Sequence, residues 1–257
     1  MIMAHREYHV EQPRAAHTHT VIFLHGRDSD GREFADEFFE SEASGPVEQP
    51  RKLRDLLPGI RWVFPSAPIL RSERFGIEMS QWFDIWSVEN PAERPDLQIP
   101  GLRQSITQIL GVIEEEKKLV ARDRIFLGGI SQGFAAAIMT YVSEMPGGFA
   151  GLIGMCSWMP PALRTSEGED SDILRELQET FGNRRVVRQT PIFLGHAKDD
   201  DIVPIKNGRE LRDVLYPYCP WLEWREYENG GHWINEPQGV DDIVAFLNEN
   251  MEDEQDS

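Results

Sequence analysis

Residues 127–134 read Leu-Gly-Gly-Ile-Ser-Gln-Gly-Phe, a Gly-x-Ser-x-Gly pattern centred on Ser131. The short apolar run Arg124–Leu127 has the length of a strand, and the alanine-rich run that follows the motif favours a helix. A serine at a tight strand-to-helix turn, with a glycine two residues away on each side, is typical of a nucleophile elbow. The alternative interpretation is an ordinary glycine-rich turn with a bystander serine. The flanking strand and helix patterns favour the elbow, with Ser131 as the candidate nucleophile.

Length and charge restrict the class of protein. The chain has 257 residues, which is enough for one large domain with a substantial core, and no stretch resembles a linker. We expect a single domain over residues 1–257, with its core at about residues 20–251 and a frayed acidic tail at 252–257. The formal net charge of −18 argues against nucleic acid as a partner and against electrostatic docking to an anionic membrane.

Apolar runs and cysteines in the sequence predict the cellular compartment of the protein. The N-terminus has no apolar run of signal-peptide length, and glycines and prolines interrupt the most apolar long stretch, residues 149–163. Cys156 and Cys219 are the only cysteines in the sequence, which favours a reducing compartment without a disulfide framework. We therefore expect a cytoplasmic protein with no integral membrane segment. No metal-ligand spacing was found, so neither a metal nor another cofactor is expected.

Apolar runs of strand length alternate with helical patterns along the chain. This alternation predicts an α/β fold, with a mostly parallel central sheet and helices on both faces. The predicted strands are residues 20–24, 60–65, 124–127, 149–157, 191–196 and 222–227. The predicted helices are residues 34–39, 53–57, 101–120, 135 to about 146, 170–181, 205–215 and 240–251.

Residues 66–100 lack a regular period, although they are rich in aromatic and aliphatic side chains. A connection of this length is usually functional or disordered, and so many aromatic residues argue against disorder. Two interpretations stay open, since these side chains could cap the core or line an apolar groove that binds an acyl chain. In the second case the candidate substrate-binding residues are Phe75, Trp82, Phe83 and Trp86.

A serine nucleophile needs a base to accept its proton and a carboxylate to orient that base. In α/β-hydrolases these groups follow the serine in the order Asp, His. Here the strand at 191–196 opens into three adjacent aspartates at 199–201, and a glycine-rich loop after the last strand carries His232. Both loops are expected at the carboxyl edge of the sheet, beside the elbow. His232 is the candidate base, but spacing alone does not choose among the aspartates.

The first long strand ends in His25-Gly26-Arg27-Asp28. In α/β-hydrolases a His-Gly loop at this place supplies a backbone N–H to the oxyanion hole, and here that donor would be Arg27. His25 itself is expected to pack inside the loop and shape it, because the reaction needs no second base.

Together these motifs resemble the acyl-protein thioesterase and phospholipase/carboxylesterase family of α/β-hydrolases, over about residues 20–251. The motifs are Leu24-His25-Gly26, Trp82-Phe83-Asp84, residues 128–133, Ser157-Trp158-Met159-Pro160, residues 200–204 and Gly230-Gly231-His232. The resemblance implies that Asp200 is the aspartate of the triad and that the Gln132 backbone N–H is the second oxyanion donor. It also implies an acyl ester or thioester as substrate: an acylated protein, a lysophospholipid or a small ester.

The sequence departs from the family in two places. Arg27-Asp28 replaces the small or apolar residue and glycines that usually follow His-Gly, which affects what the mouth of the site accepts. Residues 164–188 form a longer connection than the family's. The expected function is a serine carboxylic ester or thioester hydrolase that works through an acyl-enzyme. Two alternatives are a non-catalytic ligand receptor or binding module on the same scaffold and, less favoured, a peptidase.

Overall fold

The computed structural model describes residues 8–143, 148–161 and 190–251. Within these ranges, a seven-stranded sheet has the order β1-β3-β2-β6-β7-β8-β9, and β4 and β5 form a separate two-stranded hairpin. The strands are β1 Tyr8–Glu11, β2 His19–Leu24, β3 Ile60–Pro65, β4 Ile69–Arg71, β5 Glu78–Ser80, β6 Ile125–Ile130, β7 Gly151–Met155, β8 Ile192–Ala197 and β9 Leu222–Tyr227. The helices are α1 Gly31–Phe38, α2 Leu53–Leu56, α3 Gln98–Glu116, α4 Gln132–Ser143, α5 Ile205–Leu215 and α6 Gln238–Glu249.

The central strands are buried along their whole length. Every residue of β2, β6, β7 and β8 is buried, as expected for parallel strands covered on both faces. One apolar core packs side chains of α3, α4 and α5 against the sheet, and a second packs those of α1, α2 and α6 against the other face. The predicted α/β-hydrolase fold, with a mostly parallel sheet between helices, is confirmed.

The N-termini of α1 and α4 fix the two loops that precede them at the carboxyl edge of this sheet. The Asp30 carboxylate caps α1 by accepting hydrogen bonds from the backbone N–H groups of Arg32 and Glu33. Helix α4 begins directly after β6, and its residues Gln132–Val142 are all buried. Because α4 is apolar on every side, it lies in the interior, and its N-terminus is fixed at the end of the central strand.

Most predicted elements are present with shifted ends, and two features of the structure were not predicted. Strand β1, antiparallel to β3 at the sheet edge, was missed because its four half-buried residues give no apolar run. Residues 66–100, where the sequence shows no regular period, contain the β4–β5 hairpin, the 3-10 turn Pro95–Leu97 and the start of α3 at Gln98. The predicted helix at 170–181, the end of the elbow helix near 146, the long connection at 164–188 and the tail at 252–257 lie outside the described residues. Within the described ranges, no helix combines the length and apolar character needed to cross a bilayer.

Candidate active site

Ser131 occupies the sharp turn between β6 and α4, with a φ of 56°. A non-glycine residue in this left-handed region is uncommon and costs conformational energy, so the surrounding packing must hold it there. A Cβ atom at Gly133 would lie 2.2 Å from the Leu24 carbonyl oxygen, and one at Gly129 would lie 2.7 Å from the Gly133 carbonyl carbon. The two glycines are therefore required because the end of β2 passes directly against the turn.

Two parallel neighbours, β8 and β9, bring an aspartate and a histidine together in the loops that follow them. The His232 Nδ1 and Asp200 Oδ2 atoms are 2.8 Å apart. The other Asp200 oxygen accepts the backbone N–H groups of Ile202 at 3.0 Å and Val203 at 2.8 Å. His196 Nε2, in β8, lies 3.3 Å from Asp200 Oδ2. The carboxylate is thus fixed on both oxygens, and it orients the His232 ring.

The three adjacent aspartates have different environments. Asp200 is buried and contacts His232, whereas the Asp199 carboxylate accepts the Gly231 backbone N–H at 2.9 Å. Asp201 is exposed at the surface. Of the three, the structure brings only Asp200 to the histidine, and its role in catalysis stays a prediction.

Opposing effects act on the Asp200 pKa. Burial of the carboxylate raises the pKa, but hydrogen bonds from His196, His232 and the Val203 N–H, together with the charge of His232, hold it well below the ordinary value. Asp200 is therefore ionised at neutral pH. A buried carboxylate beside the imidazole stabilises the imidazolium that forms when the histidine accepts a proton.

Ser131 and His232 line one cavity of about 220 Å³ at the carboxyl edge of the sheet. Ser131 is 5% exposed, and His232 is half-buried. The wall combines apolar side chains with Arg27 and Glu37; its residues are Gly26, Arg27, Ser29, Phe34, Glu37, Val88, Ile130, Ser131, Ile202, His232 and Trp233. The cavity therefore holds a candidate nucleophile, a candidate base and room for a small apolar group.

Gln132, the residue after the serine, has two separate roles in the geometry. Its backbone N–H is in the first turn of α4, where helix N–H groups have no acceptor within the helix. Its side chain is fully buried, accepts the Trp82 backbone N–H at 2.9 Å and donates to the Phe83 carbonyl at 2.7 Å. Gln132 therefore ties the segment 66–100 to the elbow.

These contacts correct the assignment of Trp82 and Phe83 as substrate-binding residues. Both side chains are completely buried in the core, so neither offers a surface to a substrate. The Trp82 indole N–H donates to the His25 carbonyl at 2.9 Å and thereby supports the first loop. Phe75 differs, since it is 48% exposed, and Trp86 is half-buried. The buried part of the segment therefore caps the core. Val88 is its one residue in the wall of the cavity, so a substrate groove at Phe75 and Trp86 stays a prediction.

His25 packs inside the first loop, as predicted. It is fully buried, its Nε2 accepts the Ala67 backbone N–H at 2.9 Å, and its Nδ1 lies 2.6 Å from the Gly26 carbonyl oxygen. Burial lowers the His25 pKa, which keeps the ring neutral. The ring fixes the course of the loop at Gly26, just before the candidate oxyanion donor Arg27.

Sequence reasoning missed two supporting residues. Ser157, after β7, donates its hydroxyl hydrogen to the Ser131 carbonyl at 2.7 Å and so holds the elbow from the other side. His196 lies behind Asp200 and also bonds to the Val203 carbonyl at 2.8 Å. Both residues belong to stretches singled out above, but sequence alone does not show which side chains in those stretches turn inward.

Within the part of the chain that the structure describes, one group of three histidine, cysteine or acidic side chains could hold a metal ion. Ligand atoms of Cys156, Asp200 and His232 lie within 4.8 Å of one another. Burial and the nearby Asp200 charge raise the Cys156 pKa, so the thiol stays protonated, and the Asp200 and His232 atoms already bond to each other. This arrangement fits an orienting carboxylate better than a metal site.

The chain is similar to known proteins in sequence and in fold. The model of the phospholipase/carboxylesterase family matches residues 5–251. Acyl-protein thioesterase 1 of Yarrowia lipolytica is 28% identical over 244 residues, covering 93% of this chain and 95% of the relative. Acyl-protein thioesterase 1 of Kluyveromyces lactis is 30% identical over 193 residues, covering 73% and 76%. The crystal structure of Zea mays acyl-protein thioesterase 2 superposes with a TM-score of 0.68 at 21% identity, covering 96% of this chain and 99% of that one.

Proposed function

The chain belongs to the phospholipase/carboxylesterase family of α/β-hydrolases and is a hydrolase, and we propose that it cleaves carboxylic esters and thioesters with Ser131 as the nucleophile. The observation that carries this proposal is the 2.8 Å contact of Asp200 with His232, in a cavity that His232 shares with Ser131. A serine, a histidine and an oriented carboxylate are what acyl transfer through an acyl-enzyme requires.

The proposed reaction has two stages. The Ser131 hydroxyl oxygen attacks the acyl carbonyl carbon while His232 Nε2 accepts the hydroxyl proton, and the same proton then passes to the departing alcohol or thiol. Water next attacks the acyl-enzyme, with His232 again accepting and returning a proton, and the free acid leaves. Asp200 keeps the hydrogen on His232 Nδ1, so that Nε2 is free to accept.

The proposed oxyanion hole consists of the backbone N–H groups of Arg27 and Gln132. The position of Gln132 at the start of α4 supports this role, because the positive end of the helix dipole adds to the hydrogen bond. Arg27 lines the cavity beside Ser131, in a loop that His25 and Trp82 hold in place.

The substrate is an acyl compound, since the curated relatives above are named acyl-protein thioesterases. The cavity of about 220 Å³ has several apolar walls, which favours a short or medium acyl chain. An acylated protein, a lysophospholipid and a small ester all present such a group. For the location we propose the cytoplasm, as the free and buried state of Cys156 and Cys219 supports a reducing compartment.

A chain-length series tests the proposal. We expect hydrolysis of 4-nitrophenyl esters and matched acyl thioesters, with kcat/KM rising from acetyl to about hexanoyl by up to roughly fourfold per methylene and then levelling off. Ser131→Ala is the control and should abolish the enzymatic rate. A chain that hydrolyses no ester or thioester, although correctly folded, would instead favour the binding-module alternative.

A further inference from the structure

The Arg27 side chain is a half-buried cation in the wall of the cavity that contains Ser131. Its guanidinium carbon lies 5.4 Å from the centre of the Phe75 ring. Among the described residues, no carboxylate oxygen lies within 4.0 Å of this guanidinium, the limit for an ion pair. Arg32, Arg71 and Arg103 also form no ion pair among the described residues, but of these four arginines only Arg27 lines the cavity. Arg27 therefore faces the cavity without a close counter-ion from the described protein.

A second cation makes this arrangement less favourable in the absence of an anion. The Arg74 guanidinium lies 5.5 Å from the centre of the same Phe75 ring. Burial and then the Arg74 charge lower the Arg27 pKa, while Asp28, Asp84 and Glu89 raise it from beyond contact distance. Arg74 already has partners, with Glu89 at 3.8 Å and the Trp86 carbonyl at 2.7 Å. The unmet charge is that of Arg27.

We propose that Arg27 binds an anionic group of the substrate, a carboxylate or a phosphate close to the scissile bond. The inference deepens the proposed function and rests on it. Because the Arg27 backbone N–H is the proposed oxyanion donor, its side chain reaches only groups within one side-chain length of the scissile carbonyl. The neighbouring Phe75 ring has no oxygen that could accept a hydrogen bond, so the guanidinium N–H groups remain for the two oxygens of a planar anion.

The acidic part of the wall restricts where the anion can bind. Glu37 also lines the cavity, and it lines a neighbouring depression together with Glu40 and Glu236. A negative group is repelled there and attracted at Arg27. The expected substrates are therefore half esters or half thioesters of dicarboxylic acids, or esters whose alcohol or thiol part is acidic.

A structural role for Arg27 is the alternative to be excluded. Asp84 Oδ1 is buried without a hydrogen-bond partner, and Asp84 is among the carboxylates that raise the Arg27 pKa. If Arg27 serves only to balance Asp84, its loss should slow neutral and anionic substrates equally. The ratio of the rates for anionic and neutral substrates therefore distinguishes anion binding by Arg27 from a purely structural role.

The experiment compares pairs of esters that differ in one charge. On the acyl side, 4-nitrophenyl hydrogen glutarate is paired with its methyl ester; on the leaving-group side, 3-carboxyphenyl butyrate is paired with its methyl ester. We expect kcat/KM to favour the anionic member in one of the pairs. Arg27→Gln should reduce that preference by about tenfold, the effect of losing a charge-assisted hydrogen bond, and Arg27→Lys should retain most of it. The control Arg32→Gln removes an equal charge from an exposed position that does not line this cavity, and should keep the preference.

Each outcome is decisive. A preference that disappears in Arg27→Gln supports the proposal, and the affected pair identifies the side on which the anion binds. A ratio that is the same in Arg27→Gln and the unchanged protein overturns it, while continued hydrolysis of the neutral esters leaves the proposed function standing. If the folded protein hydrolyses none of the four esters, the proposed function and this inference both fail.

Discussion

The buried side of the cavity and its exposed rim are built in opposite ways. The buried side consists of the elbow at residues 130–134 and the Asp200 loop, where all five elbow residues are buried and a Cβ at Gly133 has no room. The rim consists of Arg27, in the cavity wall, and of the hairpin Ile69–Ser80, which does not itself line the cavity but meets Arg27 through Phe75. In this hairpin Ile69 is 64% and Phe75 48% exposed. We infer from this difference that close packing fixes the proposed catalytic residues, whereas the proposed substrate contacts are side chains that can change without disturbing the core.

The largest expected effect is on the buried side, at Asp200. Asp200→Asn should lower kcat by about ten-thousandfold, because His232 then loses the partner that sets its tautomer and stabilises its charge. The matched control Asp199→Asn changes a neighbour that accepts the Gly231 backbone N–H instead of contacting His232, and should stay within about tenfold of the unchanged enzyme. Steady-state hydrolysis of a neutral ester by folded variants measures both. Equal losses at the two positions would contradict the assignment of Asp200.

The next largest effect concerns stability at the elbow. Gly133→Ala should lower the free energy of unfolding by roughly 3 kcal/mol or more, because the new Cβ would lie 2.2 Å from the Leu24 carbonyl oxygen. Gly239→Ala is the matched control, as Gly239 also is the second residue of its helix and its Cβ would come no closer than 3.3 Å to a neighbour. Urea unfolding compares them, and we expect a change within about 1 kcal/mol for the control. Similar changes in the free energy of unfolding for the two variants would show that the elbow has room for a side chain at Gly133.

A smaller effect follows from the depressed Asp200 pKa. A carboxyl whose pKa is lower in the folded than in the unfolded state stabilises the fold above the unfolded pKa of about 4, and this contribution is lost as the pH falls through the folded pKa. Between pH 5.5, above this window, and pH 3, which lies within it, the unchanged protein should therefore lose more stability than Asp200→Asn. Urea unfolding of the two proteins at both pH values measures this difference. An equal loss in both would show that the Asp200 contacts do not contribute to folding.

The smallest effect is expected at the rim. Phe75→Ala should reduce kcat/KM for hexanoyl esters by about threefold and leave acetyl esters within about twofold, because only the end of the longer chain would reach the exposed ring. Leu119→Ala is the control, since Leu119 is 55% exposed but lies beyond the end of α3 and does not line the cavity. A chain-length profile unchanged by Phe75→Ala would show that this ring serves only the contacts with Arg27 and Arg74.

The contrast between the buried side and the rim also explains which parts of the structure could be predicted from the sequence. The elbow, the order of strands and helices and the loops with Asp200 and His232 were predictable because close packing leaves a periodic pattern and fixed glycines. Residues 66–100 leave no such pattern, since Trp82 and Phe83 are held by hydrogen bonds to residues distant in the chain, Gln132 among them, rather than by a regular element. Their burial, and the exposure of Phe75 a few residues earlier, depend on contacts distant in the chain. The position of Arg27 against Phe75 arises in the same way.

Covalent labelling tests the central claim, that Ser131 is the nucleophile, most directly. The folded protein is treated with a fluorophosphonate, and the labelled residue is identified by mass spectrometry of its peptides. We predict one phosphonylated residue, Ser131, with full loss of ester hydrolysis and no labelling of Ser131→Ala, whose kcat should fall at least about a thousandfold. Ser157 is the internal comparison, because it lies next to the elbow but donates its hydroxyl hydrogen to the Ser131 carbonyl. Labelling of another residue, or a Ser131→Ala variant that keeps its activity within about tenfold of the unchanged enzyme, would contradict the claim.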